Sequence, residues 1–424
     1  MNARGKTCAR RHAGGYVLAT ALLSVAVLFV AASSFLCLTL SEDQIASSDR
    51  DMILALNAAE AGVQRAIQNV KVAATLTGLL GNLAQSTGST SFPNGESYSF
   101  TIANDPAEAT TPTTDTNGYL LITSVGRARN ATRIIETVLF VPRLPGLPAA
   151  IYVPGAEGES TFAGTSFIVD GYDTDPVSET RTGGVTKLGV GAGSPAVRNT
   201  IYNALSNAER TRPVFDGTPG DYSGQPSLGL DSTLTSDTVQ AMADRYGQSA
   251  APQNTVSLSA GGSLNVGGTH TYANGAGGGP TAANDQAWGT RTSPSVFKIS
   301  GITLAEYHAN NGVAAPTLNI SGNFEGAGIL ILDGVYLNVS GDFRWEGIIL
   351  VTGPKIGFSM GGGGHQKIFG AVLVNERAVD RCRDAICDEL ILLGNPTIRY
   401  SQTAINNAAR ALGQRYTYWN ERGA

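Results

Sequence analysis

Residues 13–41 carry no formal charge and consist mostly of Ala, Leu, Val, Ser and Phe. As an α-helix that run is about 43 Å long, against about 30 Å for the hydrocarbon core of a bilayer. The apolar part of a cleavable secretory signal is shorter, about 7 to 15 residues ahead of a small-residue site. An uncleaved or leader-trimmed transmembrane helix is therefore expected over 13–41. Arg4, Lys6, Arg10 and Arg11 precede it, and Glu42, Asp43, Asp49 and Asp51 follow with only Arg50 against them. The positive-inside rule then makes residues 1–12 a basic cytoplasmic leader and sends everything past residue 41 across the membrane. The expectation is a single-pass membrane protein with its N-terminus cytoplasmic and its bulk outside.

The helix is expected to outlast the membrane. Ile45, Met52, Leu56, Ala59, Val63, Ile67 and Val70 form an amphipathic stripe that predicts a continuing helix within 42–85, ending near Val72 ahead of Gly78 and Gly81. Such a helix meets lipid or like helices first and a globular domain second. Ala58, Ala59, Glu60, Ala61 and Gly62 lie in the second half. Their small side chains allow another backbone to approach, and ordinary packing of a helix on a sheet explains them equally.

The chain is long enough, at 424 residues, for two or three domains. Its net charge of -5, with no Lys/Arg-dense block beyond the leader, argues against nucleic acid as a partner. Four Cys and four His are scattered without a CxxC pair or an HExxH, so neither a metal ligand set nor a cofactor is expected. Gly189, Gly191 and Gly193 and the run 275–279 lack the GK[ST] of a phosphate loop and suit corners and turns.

Residues 86–145 predict a small antiparallel sheet, with β-rich runs at 98–102, 118–125 and 131–141 and turns at Asn94-Gly95 and Asn117-Gly118. The polar stretch 105–116 is expected as a loop, and Pro142, Pro145 and Pro148 mark a boundary. Beyond it lies an internal repeat. The segment 318–324 (LNISGNF) recurs as 337–343 (LNVSGDF), and 329–334 recurs at the same offset as 348–353. A third pass follows at 368–374 after the glycines 361–364. A fixed period with Gly at the corners predicts stacked coils, a parallel, β-helix-like β-solenoid over 146–400. Segments 161–170, 255–266 and 296–302 fit irregular coils of the same stack. Helical excursions are expected at 199–210, at 236–246 and after the capping box Thr303-x-x-Glu306. A C-terminal helix and tail, containing Trp419, fill 401–424. The fold class is thus mainly β with one long transmembrane α-helix.

Arg10-Arg11-His12-Ala13-Gly14-Gly15, the apolar run, the acidic exit and then Ala58-Ala59-Glu60-Ala61-Gly62 resemble the N-terminal region of PilX-type pilus assembly proteins, minor pilin-like subunits of type IV pili. The resemblance implies that prepilin peptidase removes the leader after Gly14 or Gly15 and that the apolar helix packs in the core of a fibre. It implies a pilin-like α+β segment, with other pilin subunits and the inner-membrane assembly machinery as partners. It also allows a final location outside the cell, in the pilus. Five residues past either Gly stands Ala19 or Thr20, where major pilins carry Glu. Loss of that carboxylate suits a minor, tip-proximal subunit. The β-coils and 401–424 also resemble the large accessory domains of some PilX-type proteins.

The residues suggest no enzyme. There is no GxSxG and no serine or cysteine triad. Asp170, Asp173 and Asp175 form the densest Asp cluster, a weak calcium candidate whose sixth position is Asp175 instead of Gly and whose twelfth is Arg181 instead of Glu. His365, after four glycines, has no readable partner. In a periplasm, Cys382 and Cys387 would close a small disulfide loop, with two unpaired thiols as the alternative. The coils would display loops at 105–116, 212–232 and 270–292 to surfaces, glycans or other subunits. A membrane-tethered envelope scaffold or a polysaccharide-acting β-helix enzyme is the alternative reading, the latter requiring a convergent Asp/Arg groove on one face.

Overall fold

The structure is a computed structural model that describes the chain except residues 1–12, 74–75, 109, 115–117, 142–143, 156, 165, 212–213, 219–226, 282–283, 311, 378–387, 414 and 424. The candidate disulfide Cys382–Cys387 lies outside the described residues. The chain forms two compact units, Met1–Val141 with Arg415–Ala424 and Pro142–Gln414.

In the first unit one helix runs without a break over Ala13–Val72. Two short helices, Leu76–Gly81 and Leu83–Ser86, follow, the second capped by the Asn82 side chain. A five-stranded antiparallel sheet then orders its strands Thr87–Ser91, Ser97–Asn104, Tyr119–Ala128, Ala131–Phe140 and Arg415–Gly423. Three were expected. The first, Thr-Gly-Ser-Thr-Ser, is an almost wholly exposed edge whose composition has no apolar alternation to betray it. Asn94-Gly95 does make the first hairpin turn, with Gly95 at φ 89. The hairpin between the third and fourth strands turns at Arg129, a non-Gly residue at φ 47, and Asn117 of the expected Asn117-Gly118 turn lies outside the described residues.

The last strand corrects the expected C-terminal tail. Gln402–Ala409 is helical, but Trp419 lies in the strand Arg415–Gly423, which pairs antiparallel with Ala131–Phe140. Tyr416, Thr417, Tyr418 and Trp419 are strand-favouring types, and the neighbouring edge supplies the unpaired N–H and C=O groups that extended chain needs. The second unit is thus an insertion between two adjacent strands of the first.

The helix packs its second half on this sheet. Ala59, Val63, Ile67 and Val70 are buried against Phe100, Ile102, Leu120, Ile122, Ile135 and Leu139, whereas Ile45 remains exposed and outside the packed stripe. Fully burying a side chain such as Val63 contributes roughly 1.5–3 kcal/mol. The small patch serves this packing. A Cβ at Gly126 would strike the helix backbone at Ala55 and Ala59, and the buried Ser124 hydroxyl donates to the Ala59 carbonyl at 2.7 Å.

The second unit is built from parallel ladders. A six-stranded sheet and a larger sheet of thirteen strands, counted among the described residues, receive strands from successive passes of the chain. The repeat sets the register: Leu318 pairs with Leu337, Asn319 with Asn338, Asn323 with Asp342 and Ile329 with Ile348. The next rung pairs Phe343 with Gln366 and Gly347 with Gly370, four residues further along, and the glycines 361–364 absorb the excess. Leu318, Leu337, Phe358 and Leu390 stack inward in register. Outside, the Asn319 amide donates to Asn265 at 2.8 Å and Asn338 donates to Asn319 at 3.1 Å. Phe324 and Phe343 stack with ring centroids 5.4 Å apart.

Pass order does not follow chain order. Val372 pairs with Ile151, Leu390 with Ser160 and Ile398 with Val169, so the first segment of the unit lies beside the last. Strands Ser263–Val266 and Ser295–Ser300 instead flank the 317–333 pass. The expected excursions are present. Ser236–Gly247 buries Val239, Met242, Ala243 and Tyr246, Leu304–Ala309 has its capping box, and 199–210 divides between Pro195–Ala204 and Asn207–Thr211. Ser401 caps Gln402–Ala409, whose Ala404, Ile405 and Ala408 are buried.

Candidate functional site

The N-terminal half of the long helix is exposed on every side. Tyr16 is 79% exposed, Phe29 73% and Phe35 71%, and Leu18, Leu22, Val25 and Leu36 are comparably open around the helix. Residues Tyr16–Val70 form a helix long and apolar enough to cross a membrane. Several of its hydroxyls are satisfied locally. The hydroxyls of Thr20, Ser33, Ser34 and Thr39 each donate to the carbonyl four residues back, at 2.8–2.9 Å. No hydroxyl among these needs water, which is what a lipid or helix-packed environment demands. Gly14 and Gly15 lie in the first turn of the same helix. Ala19 and Thr20 stand near its start, where a carboxylate is absent and the Thr20 hydroxyl is turned back onto Tyr16 and Val17.

In the second unit, the candidate aspartates face different partners. Asp170 is buried and bonded to Arg181 at 2.9 Å, and the same guanidinium reaches Asp216 at 2.6 Å and lies over the Tyr172 ring. Asp173 accepts from the Thr182 hydroxyl at 2.7 Å and from the Gln402 backbone N–H at 2.8 Å. Asp175 closes a turn by accepting from the Ser178 N–H at 2.7 Å and the Val177 N–H at 2.9 Å, bonds that hold its carboxyl below the usual range. The three carboxylates therefore serve loop geometry, each in its own direction. His365 lies at the glycine-rich corner, its N–H donating to Asp342 at 2.7 Å.

A charged network on the ladder's outer face was not foreseen. Arg291 grips Glu346 with two bonds of 2.5 Å, and Arg344 reaches Glu346 at 2.8 Å and Glu179 at 2.7 Å. Lys367 adds a bond to Glu179 at 2.7 Å, and Arg399 donates to the Glu179 carbonyl at 2.6 Å. Cations from successive rungs thus clamp the 175–179 turn to the stack. Part of the signal was present, because Arg344 and Lys367 are one register position in adjacent strands. The turn that brings Glu179 to them carries no repeat and leaves no trace in the pattern.

Burial alone would raise the Glu179 carboxyl, but the hydrogen bonds and charges of Lys367 and Arg344 outweigh it and hold the group below its ordinary value. A depressed carboxylate contributes stability above its unfolded pKa and loses it as pH falls through the folded one. Unfolding of the full chain in detergent should therefore show a stability loss below about pH 4.5. Glu179→Gln should reduce that loss; equal pH slopes in both proteins would refute the clamp.

No family model matches the chain, and no curated protein matches it. Among solved structures it is similar to the crystal structure of the competence-associated pilin ComZ from Thermus thermophilus, at 12% identity, covering 89% of this chain and 98% of that one with a TM-score of 0.24.

The displayed segments differ in character. At 105–116, the buried Asn104 amide organises the loop by donating to Glu108, Thr111 and Thr114, each at 3.0 Å. The segment 270–292 begins in the ladder, with the strand Thr269–Ala276 pairing in parallel to its neighbours, and Trp288 is fully buried. Much of 212–232 lies outside the described residues, while Phe215–Asp216 and Leu228–Leu230 are strands.

Proposed function

We propose that this chain is a minor pilin-like structural subunit of a type IV pilus or a related filament, PilX-like in its assembly region, and not an enzyme. The observation that carries the reading is the single helix Ala13–Val72, apolar and exposed all round in its first half and packed one-sidedly on an antiparallel sheet in its second. An element of that kind anchors a subunit in the membrane before assembly and offers the same apolar surface to like helices afterwards. The basic leader would stay cytoplasmic until prepilin peptidase cuts at Gly14 or Gly15, and the bulk would stand in the periplasm or, after assembly, outside the cell. Partners are then other pilin subunits and the inner-membrane assembly machinery.

The unit Pro142–Gln414 is read as a parallel β-solenoid displayed for adhesion or subunit contacts. Its registered repeat and outward Asn and charged side chains support that role, with a surface or glycan as the class of ligand. The acidic and basic groups of its charged face are bonded to one another, which favours a structural role over a polysaccharide-cleaving groove.

The test is mass spectrometry of the mature N-terminus from native membranes, with and without prepilin peptidase. A terminus at Gly15 or Tyr16 that depends on the peptidase is expected. An intact Met1 or Asn2 terminus, or cleavage near residues 31–37, would sink the processed-pilin reading and leave a tethered scaffold.

A further inference from the structure

The first and last passes of the second unit meet at three carboxylates. The segment carrying Glu157 and Glu159 leads into the strand Ser160–Ala163, and Glu389 immediately precedes the strand Leu390–Leu393. These strands pair in parallel with Leu390 opposite Ser160, and the Glu389 N–H donates to the Glu159 carbonyl at 3.0 Å. Glu389 and Glu159 are therefore neighbours on adjacent rungs, and Glu157 lies two residues before Glu159. One carboxylate oxygen from each of the three lies within 4.8 Å of the others.

Like charges stacked on neighbouring rungs repel. Glu389 is only 4% exposed, and its Oε2 is buried without a hydrogen-bond donor. The same holds for Oε2 of Glu159. By contrast, the nearby buried Glu376 accepts from the N–H groups of Lys355 at 3.1 Å and Ile356 at 2.9 Å, and Asp388 takes the Thr161 hydroxyl. The local carboxylates that serve packing thus have donors, while Glu159 and Glu389 each bury an oxygen without one. A buried carboxylate without donor or counter-charge costs several kcal/mol, so it must hold a proton or a cation.

We infer that Glu157, Glu159 and Glu389 bind one calcium ion that pins the first pass of the second unit to its last. The donor set is all oxygen, which selects a hard cation over zinc or copper. Calcium takes about six to eight oxygens in flexible geometry, whereas magnesium demands a near-ideal octahedron and gives up its water reluctantly, so a partly buried carboxylate set favours calcium. Three carboxylates overbalance the ion's charge by one, and calcium fills its remaining positions with water or carbonyl oxygen. The ion sits where the chain's order in sequence and in space disagree most, joining residues more than two hundred positions apart.

The test uses the full chain in detergent, stripped with a chelator and titrated with calcium chloride by calorimetry and by thermal unfolding, with magnesium chloride as control. One calcium per chain and a melting temperature that rises with calcium and less with magnesium are expected. Glu389→Gln should weaken binding at least about tenfold while leaving the ion-free protein as stable as wild type or more so. Should that variant fail to fold, Glu157→Gln, at the half-buried rim, should still loosen the ion. Calcium affinity unchanged in both variants would place the ion elsewhere and overturn the inference. So would a wild type that binds no calcium at millimolar concentration, leaving the cluster to share protons.

Discussion

Gly347→Val is expected to destabilise the Pro142–Gln414 unit by about 3–5 kcal/mol. Gly347 sits in mid-strand at φ 138, in register with Gly328 at φ 129 and Gly370 at φ 139 on either side. At this rung each long strand bends from one face of the stack to the next, and the backbone conformation of the bend is one that a side-chain-bearing residue adopts only under strain. Space is as limiting as conformation. A Cβ at Gly347 would fall on the Gly328 carbonyl and within 3.0 Å of the Ala408 Cβ, and the neighbouring rung cannot retreat without breaking its own ladder. Denaturant unfolding followed by tryptophan fluorescence reads this unit well, because Trp288 and Trp345 are fully buried in it, whereas Trp419 is half-exposed in the other. Gly363→Val is the control, since nothing lies within 4 Å of a Cβ there. Equal midpoints for the two variants would show that the glycine rung is not a steric requirement.

The second large effect is expected from the pair Leu23→Arg and Val27→Arg. Both residues are exposed, lie one helical turn apart and stand near the middle of the uncharged run. An arginine at the centre of a membrane helix costs about 2.5–3.5 kcal/mol, so the pair should cost about 5–7 kcal/mol of insertion free energy. In carbonate-washed membranes the double variant should be lost from the pellet, while Ile45→Arg, beyond the acidic exit, should stay in it. Retention of both would mean that residues 13–41 do not hold the protein in the membrane. Since Leu23 and Val27 bury nothing in the folded protein, the result separates anchoring from folding.

The long helix was legible because two independent signals agree on it. An uncharged run sets the first half, and the stripe Ala59, Val63, Ile67, Val70 sets the face of the second. The ladder register was legible for the same reason, since identical residues at a constant offset can stack in parallel only on themselves, and Leu318 opposite Leu337 follows directly. Capping boxes and helical faces at 236–247 and 303–309 are local chemistry and were equally readable.

Three features belong to the tertiary structure alone. Hydrogen-bonding groups on a strand edge accept any extended partner of suitable register, so nothing local told the segment Arg415–Gly423 to return to the first sheet, or the segment 149–170 to close the stack beside Leu390–Leu393. The clamp on Glu179 depends on a turn at φ 58 swinging a carboxylate over Arg344 and Lys367, residues far away in sequence. The cluster Glu157, Glu159 and Glu389 exists only because the first and last passes meet. Periodicity, charge and capping act over a few residues or one repeat, and the sequence by itself determined what they govern: an apolar anchor, an amphipathic helix, an antiparallel sheet and a registered parallel stack. Which edges pair, and which charges are thereby buried together, is decided by contacts between segments that share no pattern, and only the folded chain supplies those.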